Sequence, residues 1–371
     1  MSTLSSNFDI DESLLTFSGT RAASEGPPSR RRRGKAGGLD EDFAFVCGYA
    51  PEMALHAKCQ QVAVQPSGDD TSRRDEDPLA AALGASDMIV RCLSFLDSRD
   101  LANVALVSRA YGGGVGPHLL PPADALPPLP FVEKTARQIY AEGTTAYERA
   151  VLPKYEDESW LELLHNLEVH RGKLVFQQLI GSGTGANSVG GDRAHLAAAG
   201  KRGNSVCTAV CNEVMRAGRH FATVEVFSGV MMRFGVIRPV EHLDASLMAA
   251  MITFTPYNEY WHSELISGRT ERWGSGDVHC CMYCHDGDCD WTDWGDVMVQ
   301  SESDWEGAEP YYGRVKVGLL LDLTEGTLTS YKNGRRLGVM KKGLTGVYSW
   351  SIQVGVRHEV AIQRRPDLAS L

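Results

Sequence analysis

The residues with the most chemical capacity lie in one run, His279-Cys280-Cys281-Met282-Tyr283-Cys284-His285-Asp286-Gly287-Asp288-Cys289. Cys281-x2-Cys284, followed by Cys289 and flanked by histidines, supplies enough soft ligands for tetrahedral zinc. A second, separated Cys-x2-Cys pair is missing, and on an extended strand Cys281 and Cys284 would point to opposite faces. Buried or loop cysteines are the plainer reading, and zinc is the other. Asp286-x-Asp288-x-Asp290 opens as a calcium loop does, but Trp291 stands at the sixth position and Val297 at the twelfth. That is no EF-hand, which leaves at most a weak, irregular calcium site. Gly181-Ser-Gly-Thr-Gly-Ala-Asn-Ser lacks the Lys of a phosphate loop and does not match G-x-G-x-x-G, so it reads as a flexible loop. The sequence holds no G-x-S-x-G nucleophile elbow and no helix with paired metal ligands. No catalytic residue, metal or cofactor is assigned, and a non-enzyme is expected.

The elements that must position these residues are dominated by residues 314–347, RVKVGLLLDLTEGTLTSYKNGRRLGVMKKGLTGV. An apolar strand, a short turn ending at Gly326, a strand rich in β-branched residues, Asn333-Gly334 and a returning strand follow one another. Asn-Gly is a strong hairpin signal because a two-residue type I′ turn wants positive φ at both positions. The run GLLLDLTEGTLTSYKNGRRLGV resembles the signature of the SPRY domain. Gly218–Val236 and Trp350–Gln363 resemble that family's early and closing strands. The resemblance covers residues 205–365 and implies an antiparallel β-sandwich whose loops bind short segments of other proteins, with no family-wide catalytic residue.

Residues 79–112 have a different pattern. Ile89, Cys92, Leu93 and Leu96 recur at helical spacing after a candidate N-cap, Ser86. A polar break at 97–100 precedes a second helix through Leu101, Val104 and Ala105. Three glycines at 112–114 end it. SFLDSRDL followed by NVALVSRAY resembles an F-box. The Leu-Pro opening is replaced by Ala82-Leu83-Gly84-Ala85, and the Trp after the Arg by Ala110-Tyr111. Two short helices cannot bury enough surface to be stable alone, so their apolar residues must cover something. The resemblance implies a Skp adaptor and its cullin as partners, with Ile89, Leu93, Leu96, Leu101 and Val107 as contact residues. The alternative is a hairpin packed on its own chain.

The rest of the chain divides by composition. Residues 1–78 are rich in Ser, Gly, Pro and charge and are expected to be a disordered tail. Arg30–Arg33 with Lys35 reads as a solvated basic patch, an import signal or an anion-binding spot. Residues 113–130 form a Pro/Gly linker. Residues 131–204 are expected to be helical and then loop-like on the way into the sandwich. There Ser159-Trp160-Leu161-Glu162 fits a capping box, and Trp160, Leu163, Leu164 and Leu167 form one apolar stripe. The predicted class is therefore mostly β: an antiparallel sandwich with a small F-box-like helical region and a disordered N-terminal tail.

The formal net charge is −10. Residues 277–310 hold ten acidic residues and no Lys or Arg. This argues against general nucleic-acid binding. Exposed carboxylates beside tryptophans suggest a surface for a protein substrate, which a segment with Lys or Arg would fit, with Tyr257, Trp261, Trp305 and Tyr311 as contact residues. The other reading is a solvated loop whose tryptophans belong to the core. Nine cysteines without framework spacing, no secretory pattern at the N-terminus and no 18-residue apolar run lead to the expectation of a cytoplasmic or nuclear protein without a membrane span. The two resemblances together imply a substrate-recognition subunit of a Skp-cullin-F-box ubiquitin ligase whose SPRY-like sandwich binds a protein substrate, with a scaffold or signalling protein without that link as the alternative.

Overall fold

The computed structural model describes residues 86–107, 130–181, 186–198, 206–228, 232–240, 243, 254–295, 300–355 and 357–364. The tail at 1–78, its basic cluster and nearly all of the 113–130 linker lie outside these residues. Two antiparallel sheets of seven strands each make a sandwich. The first runs β1 (Phe176–Ile180), β4 (Val206–Cys211), β13 (Ser349–Gly355), β6 (Arg233–Ile237), β7 (Cys280–Cys284), β8 (Cys289–Thr292), β9 (Gln300–Glu302). The second runs β12 (Arg335–Lys342), β11 (Thr327–Lys332), β10 (Val315–Asp322), β5 (Arg219–Ser228), β14 (Glu359–Arg364), β3 (Asp192–Ala198), β2 (Ala186–Val189).

The organising hairpin forms as its sequence requires. Asn333 and Gly334 have φ of 52° and 84°, and Gly326 has φ of 64°. Val315, Val317, Leu319 and Leu321 alternate inward from β10 and meet Phe234, Val236, Trp350 and Ile352 from the facing sheet. That period of two fixes the register, because a slip by one residue would turn the whole apolar set outward. The sandwich begins earlier than residue 205. The Gly/Ala/Ser-rich stretch expected to be loop contains β2 and β3, and β1 pairs with β4. Small residues there hide a strand signal, since Ala194, Leu196 and Ala198 are the inward set of β3.

The first sheet has a second core on its other face. Ile180, Val210, Ile237, Cys280 and Met282 are covered by Phe254, Leu265, Trp273 and Trp294. The covering segment includes a short helix, α6 (His262–Ser267), between two 3-10 turns. Arg238, fully enclosed, holds it in place. Its guanidinium donates to the carbonyls of Thr345 (2.6 Å), Val347 (3.0 Å) and Gly276 (3.4 Å) and stacks on Tyr348. At Gly346, φ is +77° and a Cβ would lie 2.1 Å from the Trp273 carbonyl oxygen, so the loop can close only with glycine there.

Among the described residues five helices precede the sandwich: α1 (Ser86–Leu93), α2 (Ser98–Val107), α3 (Phe131–Gly143), α4 (Ala146–Val151) and α5 (Trp160–Arg171). Leu101, Val132, Ala136, Tyr140, Leu163, Leu164 and Leu167 form their shared core. Ser159 caps α5 by accepting from the Glu162 amide (3.0 Å), whereas the Glu162 carboxylate reaches Arg272 across the module boundary. The reciprocal capping box is instead at Thr145 and Glu148. Among the described residues no helix is long and apolar enough to cross a membrane.

Helices and sandwich are joined by a buried ion pair. Arg216 Nη1 and Nη2 donate to Glu158 Oε2 (2.7 Å) and Oε1 (2.5 Å), and both side chains are almost without solvent contact. Removing one partner strands the other charge in a low-dielectric site. Glu158→Gln should therefore lower the unfolding free energy by about 3–5 kcal/mol, read by urea titration. A change within ~0.5 kcal/mol would mean the pair is solvated.

His279 lies between the rings of Trp273 and Trp294 and accepts from Arg238 at 3.5 Å. Burial, with the Arg238 charge behind it, lowers its pKa to about 4 from an ordinary 6.5. Between those values the unfolded chain binds the extra proton, so this group's contribution is whole above pH 6.5 and is lost as pH falls toward 4. With allowance for solvent screening the loss is roughly 1–2 kcal/mol. Thermal unfolding across that window should show a shallower pH dependence in His279→Gln than in the native chain. Parallel curves would exclude this histidine as the source.

Candidate functional site

The α1–α2 hairpin is built with two apolar sides. Its turn is latched to α5: the Ser98 amide donates to Glu168 Oε1 (3.0 Å) and the Ser98 hydroxyl to Glu168 Oε2 (2.5 Å). Leu101 is wholly buried in the helical core, with Leu93, Leu96 and Val104 half-buried against it. Ile89 is half-buried. On the other side, Met88, Phe95, Leu106 and Val107 are 50%, 85%, 72% and 83% exposed. Of the five residues expected to meet an adaptor, only Val107 is thus fully available, while Leu101 serves the chain's own packing. Periodicity marked which residues are apolar. It could not say which side α3 and α5 would cover, because those helices arrive from beyond the Pro/Gly segment.

The residues expected to meet a substrate are also divided. Trp305 and Tyr311 belong to the core between the sheets. The Trp305 indole donates to the Gly287 carbonyl (2.8 Å), and the Tyr311 hydroxyl to the Met232 carbonyl (3.0 Å). Trp294 is likewise buried, its indole donating to the Pro256 carbonyl (2.9 Å). Tyr257 and Trp261 are half-buried over the second core. The exposed aromatics of these loops are their neighbours Tyr260 (71%) and Tyr312 (66%). Trp294 and Trp305 of the acidic segment therefore act as core anchors, while Trp291 is half-buried against the core. The segment's carboxylates do reach solvent: Asp286, Asp304 and Glu306 are exposed, while Glu302 and Glu309 pair with Lys341 and Lys332 (2.6 Å each).

The cysteine run forms β7 and β8, and strand geometry separates its ligands. Cys281 points between the sheets, where its sulfur is 3.6 Å from that of Cys289. Cys280 and Cys284 point to the opposite face. Cys284 donates to Asp290 Oδ2 (3.1 Å), and Arg233 Nε reaches both that sulfur and that carboxylate (3.2 Å each). The hydrogen bond with Cys289, with burial behind it, raises the Cys281 thiol, and burial raises the Cys284 thiol. Protonated thiols on two faces of one sheet do not make a tetrahedral site. A shallow groove of about 310 Å³ on the outer face of the second sheet is lined by Phe221, Thr223, Lys316, Gly318, Tyr331, Gly334, Gln363 and Arg364. That lining offers no nucleophile with an adjacent base.

No protein-family model and no curated protein matches the chain. Solved structures similar to it are SPRY domains. That of human HERC1 shares 10% identity at a TM-score of 0.30, over 49% of this chain and 94% of its own. A human SPRY domain shares 12% at 0.33, over 50% and 99%. The TRIM65 PSpry domain shares 15% at 0.31, over 49% and 86%. Each of these neighbours is a SPRY domain.

Proposed function

We propose that the chain is a non-catalytic binding protein in which the sandwich holds a protein segment and the helical hairpin engages a Skp adaptor of a cullin ubiquitin ligase. It would act by holding substrate lysines near a charged conjugating enzyme, which raises effective concentration and asks no chemistry of this chain. The observation that carries the reading is the exposed side of the hairpin. Phe95, Leu106 and Val107 stay largely in water while Leu101 is packed inside, and each is a large apolar side chain free to meet a partner. Against it stands the scaffold reading without a ubiquitin link, favoured by the burial of Leu101 and the partial burial of Leu93 and Leu96.

The two separate in a titration of the full chain with a purified Skp adaptor. Saturable binding is expected, weakened about 10- to 100-fold by Phe95→Asp and by Leu106→Asp, since each anchor is worth about 1.5–3 kcal/mol when buried. Both positions are exposed, so folding should be kept. Absence of saturation at tens of micromolar, or equal binding by the variants, would assign the hairpin to scaffolding.

For the substrate side, the surface residues are Tyr260, Trp261 and Tyr312 together with Asp304 and Glu306. Peptides selected from a random displayed library against the whole chain should be enriched in Lys and Arg. Their affinity should fall with added salt and drop at least about tenfold in a combined Asp304→Lys, Glu306→Lys variant. Selected peptides without basic bias, bound equally by that variant, would remove the acidic segment from the recognition surface.

A further inference from the structure

The junction of helices and sandwich gathers three metal-competent side chains that no sequence motif links. His170 lies in the last turn of α5, Glu213 follows β4, and His220 lies in β5. Their ligand atoms all lie within 4.8 Å of one another. His170 Nδ1 is 2.9 Å from Glu213 Oε1, and His220 Nδ1 is 3.7 Å from the same oxygen. A tetrahedral ion with bonds of about 2.0–2.1 Å sets its ligand atoms roughly 3.3 Å apart, midway between these distances. The side chains are 12%, 4% and 3% exposed, so the cluster is nearly dry.

The protonation of His220 is constrained. Its Nε2 is 2.9 Å from the Ala217 carbonyl oxygen, which can only accept, so Nε2 carries a proton. Nδ1 then either bears a second proton or turns a lone pair on the Glu213 carboxylate. His220 Nδ1 thus faces the Glu213 carboxylate, and a cation placed between them would be held by both. An imidazole whose far N–H is held by a backbone carbonyl is also the arrangement that orients metal-bound histidines.

Arg364 is the fixed charge facing this cluster. Its Nη2 lies 2.9 Å from Glu213 Oε1, and the guanidinium also donates to the carbonyls of Val169 (3.4 Å), His170 and Gly172 (2.6 Å). Burial alone would raise the Glu213 carboxyl. Hydrogen bonds from both imidazoles and the charges of His220 and Arg364 hold it well below the usual range, so the carboxylate is ionised and ready to ligate. Arg364 can keep its bond to a carboxylate that ligates through the same oxygen, as an outer partner, while its charge lowers affinity for a cation.

We propose that His170, Glu213 and His220 form a binding site for one divalent transition-metal ion, zinc foremost, that pins the end of α5 to the sandwich. Imidazole and carboxylate suit this class, and water from the side of His170 completes four-coordination. Binding displaces the proton on His170 Nδ1 and any on His220 Nδ1 to solvent, so affinity rises with pH.

The test uses the full chain stripped of metal by chelator and dialysis. Titrated with Zn2+ in a calorimeter, it should bind one ion. With Co2+ it should develop four-coordinate visible absorption without the thiolate charge-transfer band that the buried cysteines would give. His170→Gln should raise the dissociation constant more than about 100-fold, because even the loss of an outer partner costs 10–100-fold. His195→Ala, at an exposed-side pair with Glu359, should leave it unchanged. Zn2+ should raise the melting temperature of the native chain and not of His170→Gln. The proposal is overturned by a folded native chain without saturable Zn2+ binding at roughly 100 μM. A thiolate band with Co2+, or native-like binding by His170→Gln, would overturn it equally.

Discussion

The Glu158–Arg216 pair is the constraint on which the arrangement of helices and sandwich depends. Two opposite charges at 2.5–2.7 Å with no solvent have no good alternative partner if the surfaces part. Their contribution to net stability is small or negative, because desolvation consumes most of the attraction. Their contribution to specificity is larger. Any other docking of the helices would leave one of them buried and unpaired, so register at this boundary is set by a penalty on the alternatives. Tyr155 lies between Arg216 and Arg272, 4.9 Å from each guanidinium, and Arg272 in turn pairs with Asp157 (3.1 Å) and Glu162 (3.2 Å). The charges therefore form one connected set, and the loop carrying Arg272 is the same one that closes over the second core.

That second core changes what the sandwich can offer. A half-buried sheet usually shows one wet face, but here Ile237, Cys280 and Met282 are covered by the chain's own Phe254, Leu265 and Trp273. The surface over this face is thereby the covering segment, whose exposed residues include Tyr260. Arg238 makes the cover rigid, since its donors satisfy three carbonyls that a loop of this shape would otherwise bury unpaired. Burial lowers the pKa of Arg238, yet a guanidinium stays charged at any ordinary pH, so the clamp does not titrate. His279 beside it does, which gives the cover its acid sensitivity.

Much of this was legible in the sequence where the signal was local. The 315–342 strands, Asn333-Gly334, β5, β6 and the Ser159 cap follow from alternation and turn chemistry within a few residues. The opposed orientation of Cys281 and Cys284 followed from strand geometry alone. The failures share another cause. Ala194, Leu196 and Ala198 are too small to stand out from a Gly/Ala-rich stretch, so β3 was hidden. Trp305 and Tyr311 lie outside any strand among acidic neighbours, so no periodicity could separate the surface reading from the core reading. Thr145 and Glu148 make a capping box without the apolar stripe that would have announced a helix. His170, Glu213 and His220 meet only through the tertiary fold, and nothing in their spacing could have joined them.

The division of the α1–α2 hairpin bears on how binding and stability are coupled. Leu101 is fully enclosed by the helices that also bear Leu163 and Leu164, and Ser98 is tied to Glu168. The inner side therefore fixes the hairpin to the rest of the module before any partner arrives. Phe95, Leu106 and Val107 stay exposed on helices that are already ordered by this packing. A hairpin that needed its partner to fold would expose Leu93, Leu96 and Leu101 together when free. The partial burial of the first two and the complete burial of the third describe the opposite arrangement, in which the hairpin packs on its own module and leaves Phe95, Leu106 and Val107 exposed.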